Sequence, residues 1–194
     1  TLIAWLALDR LGAVVVPVAP VYPSRDLRYL VHDVGAKGIV CMDSNFNYVN
    51  EILPDMPLTR VIITNVLDLV PWWKRWIARG FDRVPKGTLP SEKGIYSFRD
   101  LLKGGRPSDL PGFRQTGGER TALILYTGGT TGFPKGVPLS EGIFLYRVRE
   151  WRNASEAAVP IGRGVTLLAA PLYHIIGEMD AMGPLIVGGE TLIL

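Results

Sequence analysis

Apolar residues along this chain repeat with two alternating periods, one of three to four positions and one of near-continuous runs. Leu2, Trp5, Leu6 and Asp9 lie on one helical face, and Gly12 follows as a stop, so residues 2–11 are predicted to be helical. The β-branched run 13–18 predicts a buried strand. Pro20, Pro23 and Ser24 predict a turn and a helix start. Leu27, Leu30, Val31 and Val34 share a face of the helix that follows, and Gly35 ends it. Residues 37–42 read as a second strand, 43–45 as the cap of a short helix through Leu53, and 60–64 as a third strand. Strands alternating with helices predict parallel pairing with right-handed crossovers.

Between Asn65 and Gly118 the rhythm breaks, and it resumes with a strand at 121–126. A glycine-rich loop at 127–136 precedes an expected helix from Ser140 to about Ala158. A strand at 165–169, a helix at 174–185 and a strand from Thr191 follow. The expected fold class is α/β, with layered, mostly parallel β-sheets flanked by helices. Three segments are expected: 1–64 as α/β, 65–120 as an irregular insertion, and 121–194 as an α/β segment carrying the loop and cut short at its C-terminus. The first residues read as mid-helix and the last as mid-strand, so the chain is expected to be a piece of something longer.

Composition narrows the partners. The 194 residues are 47% hydrophobic and 20% charged, a balance that folds. A net charge of +3 implies no broad basic face, so no nucleic acid is expected. A single cysteine, Cys41, excludes an internal disulfide and suits a reducing, cytoplasmic setting. The longest apolar stretch, 11–21, is too short to span a bilayer and contains two prolines.

The loop reads "YTGGTTGFPKG". Glycines let backbone N–H groups approach an anion closely, Thr127, Thr130 and Thr131 add hydroxyls, and Lys135 adds a full positive charge. Pro134 stiffens the segment before the lysine. A strand, such a loop and then a helix start is a phosphate-binding arrangement. The spacing is not that of a Walker loop or a dinucleotide fingerprint. A glycine-rich surface turn is the plain alternative, but it does not call for threonines and a lysine together.

The stretch from Ile124 to Lys135 resembles the phosphate-binding signature of the adenylate-forming acyl-CoA synthetase (AMP-binding) superfamily. "LDRLGAVVVPVAPVYPSRDLRYLVHDVGAKGIV" resembles the family's upstream block, and "APLYHIIG" its downstream block. The resemblance implies part of the family's large N-terminal domain. It also implies a reaction: a carboxylate and ATP give acyl-adenylate and pyrophosphate, and coenzyme A then takes the acyl group. It assigns Thr127, Thr130, Thr131 and Lys135 to the ATP phosphates and Gly128, Gly129, Gly132 and Gly136 to loop shape, with Mg²⁺ sharing the charge. Lys135 and His174 are the implied catalytic residues. His174 would lie beside the reacting carboxylate, and Tyr173 would line the acyl pocket. From the residues alone, His174 reads as a packed core histidine and Tyr173 as a core aromatic. No metal ligand is assigned.

Two departures from the family stand out. Gly128 occupies a position that is often serine, although the Gly-Gly form is frequent in long-chain enzymes. The usual Thr-His-x-Asn after the loop is here Ser140, Glu141, Gly142 and Ile143. The family's later motifs are absent, so this chain alone is not expected to catalyse adenylation.

Residues 69–86 place Leu69, Trp73, Trp76, Ile77 and Phe81 roughly on one face, with Lys74, Arg75, Arg79, Arg83 and Lys86 toward the other. That is the composition of an interfacial helix. It also resembles an insertion in long-chain fatty acyl-CoA synthetases, which implies peripheral membrane contact. Packing on the protein itself is the alternative. The implied partners are fatty acid, ATP and coenzyme A. The alternatives are an aryl-CoA ligase, an amino-acid-activating enzyme, or a non-catalytic phosphate-binding or membrane-docking module.

Overall fold

The structure is a computed structural model and describes residues 1–74, 77, 92–106, 117–128, 133–155, 165–187 and 190–193. The chain divides into two compact units, one of Thr1–Ala19 with Pro111–Leu194 and the other of Pro20–Leu110.

The second unit is a three-stranded parallel sheet with helices. Its elements are helix α2 (Ser24–Asp33), strand β1 (Gly38–Met42), a 3-10 turn (Asp43–Asn45), helix α3 (Phe46–Asn50), strands β2 (Arg60–Thr64) and β3 (Ile95–Ser97), and helix α4 (Phe98–Gly104). The sheet order is β1-β2-β3, with Gly38 opposite Arg60 and Val61 opposite Ile95. Leu27, Leu30 and Val31 of α2 are buried, as are Val49, Ile52, Val61 and Ile63. The predicted face of α2 is the one that packs, and removal of these side chains from water drives its folding. Chain direction changes after β2 because Asp68 accepts hydrogen bonds from the Thr64 hydroxyl (3.0 Å) and the Asn65 amide (2.8 Å). The 65–118 segment contains strand β3, which the sequence pattern did not predict.

The first unit opens with helix α1 (Leu2–Arg10) and continues, beyond Pro111, with strands β4 (Thr121–Tyr126) and β5 (Gly136–Ser140) and helix α5 (Glu141–Ser155). Strand β6 (Val165–Leu168), helix α6 (Ile175–Val187) and strand β7 (Glu190–Ile193) complete it. β6 and β7 run parallel, with α6 as the crossover. Trp5, Leu123, Phe144, Val148 and Met182 form the core, with Val15, Leu139 and Ile175 packed against it. The Trp5 and Phe144 rings stand 5.4 Å apart and tilted by 58°.

The buried strand expected at 13–18 is not formed. One residue, Val15, bridges β4, its N–H donating to Ala122 O and its carbonyl accepting from Ile124 N, both at 2.9 Å. Pro17 and Pro20 lack the N–H groups that would extend this pairing. The helix expected over 140–158 runs from Glu141 to Ser155, and Ala158 lies outside the described residues. α6 continues past the expected end at Leu185, through Pro184, to Val187.

Candidate functional site

β4 and β5 are antiparallel, with Tyr126 opposite Gly136, Leu125 opposite Val137 and Ile124 opposite Pro138. The glycine loop is therefore the tip of a β-hairpin. At its neck the Thr127 amide donates to the Lys135 carbonyl at 3.0 Å, and the Thr127 hydroxyl reaches the same oxygen at 3.4 Å. Thr127, Gly128 and Lys135 are exposed. A side chain at Gly136 would press on Ile124 and on the Tyr126 ring, 3.0 and 3.2 Å from a Cβ there. Gly129, Thr130, Thr131 and Gly132 lie outside the described residues.

This corrects the expected strand, loop and helix. β5 intervenes, and α5 begins at the base of the hairpin, about 16 Å of strand away from the loop. Ser140 caps it there, its Oγ accepting from the Ile143 amide at 3.3 Å. The positive end of α5 is thus directed at the base, where Glu141 is the first helical residue. The base is tied by Arg120. Its guanidinium pairs with Asp9, donates to the Ala13 carbonyl at 3.3 Å, and lies 3.7 Å from Glu141 Oε2. The Arg120 carbonyl accepts from the Glu141 amide at 2.8 Å. One residue therefore joins both strands of the hairpin base to α1 and to the 13–15 segment.

Residues 127–136 contain no carboxylate, and among the described residues nothing pairs with the Lys135 ammonium. Hydroxyls, amides and one cation suit a polyanion such as the phosphates of ATP. They do not by themselves make a cage for Mg²⁺, which takes oxygen ligands and is commonly shared with substrate phosphates. Among the described residues no group of three or more His, Cys, Asp or Glu gathers around a common point.

His174 is exposed, so it is not a core histidine. It caps α6: its amide donates to Pro171 O at 3.0 Å and its carbonyl accepts from Glu178 N at 3.1 Å. Its ring Nδ1 accepts from Ile176 N at 3.3 Å, so the neutral ring carries its proton on Nε2. Tyr173 beside it is 40% exposed. Gly177 is required by close approach, because a Cβ there would collide with the Pro171 carbonyl. Thr127 and Lys135 are thus brought together, whereas among the described residues no hydrogen bond joins His174 to the loop.

Glu178 was not singled out by the sequence reading. It is 1% exposed, its Oε2 has no hydrogen-bond partner among the described residues, and burial pushes its carboxyl up to about 8. Asp180 is also raised by burial, an effect opposed by a hydrogen bond from the Trp151 side chain. The signal was present: Ile175, Glu178 and Met182 share a helical stripe, and an acid interrupts two core positions.

Among the described residues no helix is long and apolar enough to cross a membrane. Trp72, Trp73, Lys74 and Ile77 are helical, with Trp72 78% exposed and Leu69, Trp73 and Ile77 also exposed. Lys74 Nζ stands 5.1 Å from the Trp73 ring centroid. Arg75, Trp76, Arg79, Phe81, Arg83 and Lys86 lie outside the described residues.

The chain is an α/β protein that carries a threonine- and lysine-bearing glycine loop between two antiparallel strands. The chain belongs to the AMP-binding enzyme family, whose pattern matches residues 1–194. It is 30% identical to a long-chain-fatty-acid–CoA ligase of Yersinia pestis, over 99% of this chain and 34% of that protein. The chain therefore spans about a third of the length of the curated relatives it matches. Its fold is that of ATP-bound MatB from Rhodopseudomonas palustris, with a TM-score of 0.69 at 23% identity over 100% of this chain and 32% of that one. The anthranilate CoA ligase AuaEII, solved with anthranoyl-AMP, aligns with a TM-score of 0.75 at 19% identity over 98% and 32%.

Proposed function

We propose that this chain is the phosphate-binding part of an ATP-dependent fatty acid–CoA ligase acting on long- or medium-chain acids. In that reaction a substrate carboxylate oxygen attacks the α-phosphorus of ATP. The bond to the bridging oxygen of the β-phosphate breaks, and pyrophosphate leaves with the negative charge. The thiol of coenzyme A then attacks the acyl carbon, AMP departs, and the thiol proton is released to base or solvent. The observation that carries the reading is the hairpin tip, with Thr127 tied to Lys135 and the lysine side chain exposed, in a chain that matches the AMP-binding family throughout.

In this reading Thr127, Thr130, Thr131 and Lys135 neutralise the phosphates as charge develops on the leaving group, and Gly128, Gly129, Gly132 and Gly136 let the backbone close around them. Magnesium bound with the nucleotide would share that charge. His174, held by its own helix start through Nδ1, stands at the acyl entrance with Tyr173. The 69–86 segment seats the enzyme on lipid, where its substrate partitions, and the exposed Leu69, Trp72, Trp73 and Ile77 support that reading. The setting is cytoplasmic, with membrane association. The 194 residues alone do not carry out the reaction.

The test is acid-dependent ATP–pyrophosphate exchange by the whole ligase with acetate, octanoate, palmitate, benzoate and mixed amino acids. Exchange strongest with octanoate or palmitate is expected. Exchange confined to benzoate or to amino acids moves the enzyme to another acid class.

A further inference from the structure

We propose that Glu178 is a positioning residue for His174, seating the first turn of α6 while it holds its proton and releasing that turn when it ionises. The Glu178 N–H donates to the His174 carbonyl at 3.1 Å and closes the first turn of the helix. The same turn holds the imidazole through Ile176 N and Nδ1, and the His174 amide is bound to Pro171 O. Any displacement of Glu178 therefore passes directly to His174.

The side chain supplies the trigger. It lies on the stripe of Ile175 and Met182, both of which belong to or pack on the cluster of Trp5, Leu123, Phe144 and Val148. It is 1% exposed and its Oε2 has no partner among the described residues. A neutral carboxyl tolerates such a place at modest cost, whereas a carboxylate requires water or a counter-charge.

Among the described side chains, the charged residues of the surrounding elements do not supply that counter-charge. α5 carries Glu141, Arg147, Arg149, Glu150 and Arg152; Arg147, Arg149 and Glu150 are exposed, Glu141 lies beside Arg120, and the side chain of Arg152 lies outside the described ones. α1 carries Asp9, paired with Arg120, and the exposed Arg10. β4 and β6 carry no charge, and β7 carries Glu190. On α6 itself the other acid is Asp180, which is bonded by Trp151. Burial alone accounts for the altered acidity of Glu178. The least costly route to water is release of the helix's first turn, because helix ends open before their middles. The consequence for catalysis rests on the assignment of His174 to the acyl site; the coupling itself does not.

The test uses the fact that the 194-residue chain has two histidines, His32 and His174. Their ring resonances are followed by NMR from pH 5 to 10. The expected result is a step near pH 8 in the His174 resonances that those of His32, on α2 of the other unit, do not show. In Glu178→Gln that step is lost, and in Asp180→Asn it is retained. Absence of the step from His174 in the wild-type chain overturns the proposal and needs no variant to fold. A step that persists in Glu178→Gln, or disappears in Asp180→Asn, overturns it as well. Because no ATP chemistry is involved, failure of the ligase reading and failure of this coupling are read separately.

Discussion

Single residues set the chemistry, and Glu178 has the largest effect on stability that can be stated. Its carboxyl titrates at about 8 in the fold against an ordinary value of 4.5. The folded state therefore holds more protons than the unfolded state between those values. Stability from this group is full below about pH 4.5 and is lost as pH rises through 8. The loss by pH 8 is on the order of 4 kcal/mol. Denaturant unfolding at pH 5 and pH 8 should show that fall in the wild-type chain, and Glu178→Gln should largely remove it. Equal pH dependence in both chains would contradict the assignment. A second residue-scale expectation concerns Gly177. Substitution by alanine drives a methyl into the Pro171 carbonyl and should cost about 1–3 kcal/mol, measured the same way.

At the scale of elements, the β4–β5 hairpin presents the loop and its base is fixed by Arg120. The Arg120 side chain is 21% exposed, and its guanidinium holds Asp9, Glu141 and the Ala13 carbonyl. Arg120→Ala should cost about 1–2 kcal/mol, while Asp9→Asn, which leaves the other two contacts, should cost less. Equal stability of Arg120→Ala and wild type in urea would remove the clamp from the account. Much at this scale was legible in the sequence. The 3.6 period placed α1 and α2 closely, and apolar runs placed β1, β2, β4 and β6. β5 was hidden because Gly136 read as the end of the loop and Ser140 as a helix start, with Pro138 between them, yet on a two-stranded sheet Pro138 can face outward and lose no pairing. β3 has three residues, too few to show a period. Residues 13–18 read as a strand by composition, but Pro17 limits them to one bridge at Val15. The site followed the same logic. The phosphate chemistry proposed for the loop is a reading of its residue types. Its placement at a hairpin tip depends on pairing between strands, which no local pattern reveals. Glu178 was legible as an acid on a core stripe, and only its missing partner required the structure.

For the whole molecule, the family match assigns the chain to AMP-binding enzymes, and the proposed function makes two claims about the larger ligase. Membrane seating predicts co-flotation with anionic vesicles that weakens with salt, since Lys74, Arg75, Arg79, Arg83 and Lys86 would meet lipid phosphates. Replacing both Trp72 and Trp73 by alanine should abolish it; flotation unchanged by that replacement would assign the aromatics to another purpose. The central claim is that the hairpin loop carries the phosphates of ATP. Its most direct test is octanoate- or palmitate-dependent ATP–pyrophosphate exchange by the whole ligase, comparing Lys135→Ala with Lys103→Ala, an exposed lysine on α4. A loss of about 10- to 100-fold in Lys135→Ala, with Lys103→Ala unchanged, is the predicted result. Full exchange in Lys135→Ala would contradict it.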